Sequence, residues 1–108
     1  MRRAAKRDAN EAAIVDALER VGCSVARLND PGVPDLLVAR HGSMWLLEVK
    51  MPAGSKGGTA GRELTPEQRR WWASWRGPQP HVVRSIEEAL TVVGVNVNNA
   101  AVRGGAVL

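Results

Sequence analysis

Three charged residues stand at the ends of two apolar runs where a strand pattern would call for hydrophobic ones. Asp35 opens the run Asp35 to Arg40, and Glu48 and Lys50 close the run Met44 to Lys50. Residues two apart in a strand share a face, so Glu48 and Lys50 point the same way, with Leu46 ahead of them. The link His41-Gly42-Ser43 reads as a short Gly-containing hairpin loop. A hairpin centred near Gly42 brings Asp35 opposite the Glu48 to Lys50 end. Two carboxylates that close cannot both stay ionised without a compensating cation. Mg²⁺ suits such a pair, because it seeks hard oxygen ligands and keeps positions open for water and phosphate. The plainer alternative is a cross-strand salt bridge from Lys50 to Glu48 or Asp35.

Two further polar residues lie on helical stripes. Glu11 shares a stripe with Ile14, Val15 and Leu18, away from Asp16, Glu19 and Arg20. A carboxylate there needs a partner, unless it only closes a capping box with Asp8 as N-cap. Gln68 shares a stripe with Trp71, Trp72 and Trp75, while Arg69, Arg70 and Arg76 lie to the sides. Gln68 also fits a capping box with Thr65, with Pro66 at the first helical position. Trp71 and Trp75 are expected to be core; Trp72 is equally placed for core or for stacking on a base.

In chain order these residues form a series: a helix acid, then Asp, then Glu-x-Lys on the next strand, then a helix Gln. Gly32-Val33-Pro34-Asp35-Leu36-Leu37, followed after the twelve residues Leu36 to Leu47 by Glu48-Val49-Lys50, resembles the PD-(D/E)XK nuclease signature. The helix start Leu64-Thr65-Pro66-Glu67-Gln68 is similar to that of the virus-type replication-repair nuclease (VRR-NUC) subfamily. The resemblance runs from about Asp8 to Gly94. It implies an α/β, restriction-endonuclease-like core: a helix, a three-stranded antiparallel meander, a helix, a strand and a last helix, forming a mixed sheet flanked by helices. It implies that Asp35 and Glu48 bind metal together with the backbone carbonyl of Val49, and that Glu11 completes the site directly or through water. Lys50 would be the catalytic lysine, and Gln68 the polar residue beside it.

The elements that must position these groups can be read independently. A helix from Asp8 carries Ile14, Val15, Leu18 and Val21 and ends at Gly22. Ser24 to Leu28 is a strand, followed by the turn cluster Asn29-Asp30-Pro31-Gly32. Pro52 to Gly61 is a Gly-rich mobile loop. A helix from Thr65 to about Arg76 stops at Gly77-Pro78. His81 to Arg84 is a strand. Ser85-Ile86-Glu87-Glu88 opens a last helix with Ile86, Ala89, Leu90 and Val93 on one face, ended by Gly94. The expected organisation is a basic arm over residues 1–7, a nuclease-like domain over 8–94 and a tail over 95–108. This order suggests a mixed sheet with helices packed on it.

Composition bounds the partners. The 108 residues suit one small domain with a modest core. One cysteine, Cys23, excludes an internal disulfide framework. No stretch approaches the roughly 18 apolar residues of a membrane span, and no apolar segment follows the basic N-terminus, so neither an anchor nor a signal peptide is expected. The net charge of +4, with 12 Arg among 15 basic residues, favours a polyanionic partner. Lys56, Arg62, Arg69 and Arg70 are the candidate DNA contacts, with Arg2, Arg3, Lys6 and Arg7 of the arm. Gly57-Gly58 and Gly61 form no phosphate loop, since Gly-x-x-x-x-Gly-Lys-Ser/Thr is absent.

The resemblance implies a structure-selective DNA endonuclease that uses Mg²⁺, with Mn²⁺ able to substitute. It would act as a Holliday-junction resolvase on branched DNA, as a homodimer in the cytoplasm of a bacterium or encoded by a phage. The alternatives are another DNA nuclease, of flap or nicking type, and a non-catalytic basic nucleic-acid-binding module.

Overall fold

The computed structural model describes residues 9–52 and 63–97. In chain order the elements are α1 (Glu11–Arg20), β1 (Ser24–Arg27), β2 (Leu36–Arg40), β3 (Ser43–Val49), α2 (Pro66–Ser74), β4 (His81–Val83) and α3 (Ile86–Val92). They build a four-stranded sheet in the order β1-β2-β3-β4. The first three strands are antiparallel and β4 is parallel to β3. A parallel neighbour needs a crossover connection, and α2 lies within it. This is the mixed sheet of the restriction-endonuclease-like fold expected from the sequence.

The β2–β3 hairpin sets the register. Arg40 pairs with Ser43, so the loop is only His41-Gly42 and Ser43 belongs to the strand. Both loop residues have positive φ, 51° at His41 and 83° at Gly42. That is the backbone of a type I′ turn, whose twist matches the flanking strands. Leu36 consequently pairs with Leu47, and Asp35 comes to lie beside Glu48.

The two faces of the sheet differ. On one, Leu36 and Val38 of β2, Leu47 and Val49 of β3 and Val83 of β4 are buried against Ile14 and Leu18 of α1 and Ala89 and Val93 of α3. Complete burial of each such Leu, Ile or Val side chain stabilises by about 1.5–3 kcal/mol. Arg40 ties this layer together. Its Nε donates to the carbonyl of Val21 at 3.2 Å and its Nη1 to that of Val93 at 3.0 Å. Those residues are the C-caps of α1 and α3, where helix dipoles favour a cation. The other face carries Leu37, Leu46, Glu48 and Lys50, and α2 lies over it.

Several local expectations are corrected. The first helix begins at Glu11 with Asn10 as N-cap, so Glu11 is its first residue and cannot close a box from the third position. Asp8 lies outside the described residues. The second helix stops at Ser74, and Trp75 turns to an extended conformation. Trp71 and Trp72 are half-buried and Trp75 is 37% exposed, so none belongs to the core. The core fills the opposite face between α1 and α3, leaving α2 no place in it. At the start of α3, Ser85 accepts from the Glu88 amide, but the Glu88 carboxylate takes the Arg84 amide instead of completing the box. Val95 packs on the core and donates its amide to Leu90, so the expected tail starts as a docked turn. The arm, the Gly-rich loop from residue 53 and the tail from residue 98 lie outside the described residues. Among those described, no helix is long and apolar enough to cross a membrane.

The asymmetry of the faces gives a stability test. Leu47→Ala should cost about 2–5 kcal/mol in urea denaturation, the usual loss for a fully buried leucine. Met44→Ala, on a residue 57% exposed, should change stability by less than about 0.5 kcal/mol.

Candidate active site

The site forms where β3 runs past the end of β2. Asp35 sits just before β2, anchored through its own carbonyl, which accepts the Leu28 amide at 2.8 Å. Its Oδ2 accepts the backbone N–H of Val49 at 2.8 Å. An amide near the end of β3 is thereby satisfied by the Asp35 side chain, and the carboxylate is pinned beside β3. Lys50 lies one residue beyond the strand, where its amide donates to Val83 and continues the parallel pairing with β4.

Glu48 and Lys50 are 1% and 5% exposed, an unusual degree of burial for these residue types. Lys50 Nζ lies 3.4 Å from Glu48 Oε2, so the cross-strand alternative considered above takes the form of an ion pair along β3. That pair leaves the site incompletely satisfied. Glu48 Oε1 is buried and has no hydrogen-bond partner among the described residues. The Asp35 and Glu48 carboxyl groups lie within hydrogen-bonding reach, which two acceptors can use only with a proton between them. Burial first, and then the neighbouring Asp35, push Glu48 up to about 8, against the opposing pull of Lys50.

Gln68 bridges the two groups. Its Nε2 donates to Glu48 Oε2 at 2.8 Å, and its Oε1 accepts from Lys50 Nζ at 2.9 Å. The capping box also forms, because the same Oε1 accepts the Thr65 amide at 2.9 Å while Thr65 Oγ1 accepts the Gln68 amide at 3.1 Å. The two readings of Gln68 are therefore one arrangement: the cap fixes the side-chain amide with its oxygen toward Lys50 and its nitrogen toward Glu48. Gly32 lets α2 approach. Its φ is +80°, and a Cβ there would meet the Glu67 carbonyl at 3.1 Å and Trp71 Cβ at 3.4 Å.

Asp35, Glu48, Lys50, Gln68 and the Val49 backbone thus come together. Glu11 is 3% exposed and accepts from Arg27 Nε at 3.0 Å, and Arg27 pairs with Leu36, on the core side of the sheet. Arg69 and Arg70 are exposed on α2, while Lys56 and Arg62 lie outside the described residues. Asn10 was not evident from the sequence. Its Nδ2 donates to the carbonyl of Lys50 at 3.2 Å and to that of Arg84 at 3.1 Å, holding the ends of β3 and β4 to the start of α1. As an N-cap it makes no side-chain cap bond, and an Asn at that position was the one available signal.

No group of three or more His, Cys, Asp or Glu side chains suited to a metal occurs among the described residues. The donors present fit a smaller demand: two adjoining carboxylates, one with an unpartnered buried oxygen, as Mg²⁺ accepts when water and phosphate complete its shell.

The raised Glu48 value has a thermodynamic consequence. Between the ordinary carboxylate value of 4.5 and about 8, folded Glu48 holds a proton that the unfolded chain has released. The native state then binds more protons, so stability falls as pH rises through that window. In denaturation without divalent ions, wild type should be less stable at pH 8 than at pH 5. The part of that fall due to Glu48 should be absent in Glu48→Gln; equal falls in both proteins would contradict the assignment.

A comparison with solved structures finds likeness to a chain described as "VRR_NUC domain". The two share 26% identity with a TM-score of 0.56, over 80% of this chain and 96% of that one. No protein-family model and no curated protein matches the sequence. The matched span takes in most of the present chain and nearly all of the other, as a shared domain requires. In sheet order, signature residues and overall shape, the chain is similar to a VRR-NUC domain.

Proposed function

We propose that the protein is a metal-dependent, structure-selective DNA endonuclease that acts on branched DNA in the manner of a Holliday-junction resolvase. The observation that carries the reading is Glu48: a buried carboxylate with an unpartnered oxygen, beside a second carboxylate and a buried lysine. Such a cluster is costly to fold, and incompletely satisfied buried charge is characteristic of functional sites.

Asp35, Glu48 and the Val49 carbonyl would hold Mg²⁺, or Mn²⁺ in its place. When bound, a divalent ion lowers the pKa of water and polarises a phosphoryl oxygen. Holding the cation there would require Glu48 in its ionised form. Asp35 is held in place by the Val49 amide and needs no rearrangement. Lys50, steadied by Gln68, supplies positive charge for the phosphorane-like transition state. Gln68 bridges Lys50 and Glu48 through its Oε1 and Nε2. Glu11, which also accepts from Arg27, would complete the site directly or through water.

Arg69 and Arg70, exposed on α2, would grip phosphates, giving salt-sensitive contact without base reading. A homodimer would present two such sites to two strands, as symmetrical cutting of a four-way junction requires.

The test is cleavage of labelled linear, flap and four-way DNA with and without Mg²⁺ or Mn²⁺. Paired, symmetrical nicks in the four-way substrate are expected, and chelation should abolish them. Asp35→Ala, Glu48→Ala and Lys50→Ala should each reduce cleavage by about a hundredfold or more while DNA binding persists. Binding without cleavage under every metal condition would instead identify a non-catalytic module.

A further inference from the structure

The sheet face that bears Glu48 and Lys50 continues along β2 and β3 into an apolar groove. Leu37, Met44, Leu46, Trp75 and Pro78 line it, around a volume of about 380 Å³. Leu37 pairs with Leu46, two residues before Glu48, so the groove opens on the same face as the carboxylate pair. Met44 is 57% exposed there and Trp75 is 37% exposed.

Trp75 is exposed and yet fixed. Its ring stacks on Trp71 with centroids 4.7 Å apart and planes at 18°. Its indole N–H donates to the Pro78 carbonyl at 2.8 Å. The ring also lies so close to Gly77 that a Cβ there would sit 2.8 Å from it. An exposed tryptophan held by three separate contacts adds little to a core that lies on the other side of the sheet. Pre-organised aromatic surface does lower the ordering cost of binding.

The surroundings indicate what binds. Gln68, in the site, and Ser74, the last residue of α2, are six residues apart, roughly 9 Å along the helix, and Trp75 follows directly. That is one to two nucleotides of a strand whose scissile phosphate lies at the carboxylates. Arg69, Arg70 and Arg76 are exposed beside this aromatic ridge and complement phosphate charge. Aromatic surface flanked by arginines accepts unpaired bases with little regard to sequence.

We infer that the groove between Trp75 and Met44 receives an unpaired base of the DNA next to the cleavage site, and that this contact selects DNA with unstacked nucleotides over continuous duplex. The inference rests on the nuclease reading for the identity of the ligand, but not for its test. The full chain, in EDTA, is titrated with a twelve-residue oligothymidylate and with a duplex of equal length, following tryptophan fluorescence. Quenching by the single strand and tighter binding than to duplex are expected. Trp75→Ala should weaken single-strand binding by about fivefold to a hundredfold. Met44→Gln, a change at an exposed position that leaves the core untouched, should weaken it in the same direction.

Equal single-strand affinity in wild type, Trp75→Ala and Met44→Gln would overturn the inference, whatever the cleavage assays give. So would a dimer that Met44→Gln dissociates, since a second copy would then occupy the groove. A protein that binds unpaired strands through Trp75 and Met44 but cleaves nothing would uphold the groove and refute the nuclease proposal.

Discussion

The structure turns on one electrostatic constraint: two carboxyl groups and an ammonium confined at the end of β3 with too few donors for their oxygens. Asp35 has a backbone amide and Glu48 Oε2 has Gln68 and Lys50, but Glu48 Oε1 is buried without a donor among the described residues. A proton held at Glu48 relieves the repulsion at neutral pH. A divalent cation would relieve it better, because one charge centre can serve both carboxylates at once.

Much of the fold serves to hold that arrangement. The two-residue turn at His41-Gly42 fixes the register that sets Asp35 beside Glu48, and a slip of one residue would send the two to opposite faces. The apolar layer between α1, α3 and the sheet fixes β3 from behind. Asn10 ties the ends of β3 and β4 to the start of α1, and Gly32 admits α2 close enough for Gln68 to reach both Lys50 and Glu48. Asp35 and Lys50 stand one residue outside β2 and β3 but are tied to the sheet through backbone hydrogen bonds, so strand ends carry the charged cluster, as a site that must meet a phosphate in one geometry requires.

What could be read from the sequence followed from short-range periodicity. The strand period and the Gly42 turn were enough to gather Asp35, Glu48 and Lys50, and the Thr65-Pro66-Glu67-Gln68 start located α2 and its cap. Long-range partners left no such trace. Asn10 bonds carbonyls 40 and 74 residues away, and its type alone suggested only an ordinary cap. The stripe on α2 showed that Gln68 and the tryptophans share a face, but not which side of the sheet that face would meet. The stripe alone therefore points Trp71 and Trp75 to the core, whereas the core lies on the opposite side. Glu11 was legible as a carboxylate in need of a partner, while Arg27, which supplies it from β1, became evident only once the strands were in register.

The protonation state of the Glu48 carboxyl group can be observed directly by NMR. With selectively ¹³C-labelled glutamate, the Glu48 side-chain carbonyl should titrate near pH 8 in metal-free protein. Saturating Mg²⁺ should move the midpoint well down toward the ordinary carboxylate range. A midpoint already in that range without metal, or one that Mg²⁺ leaves in place, would contradict the account.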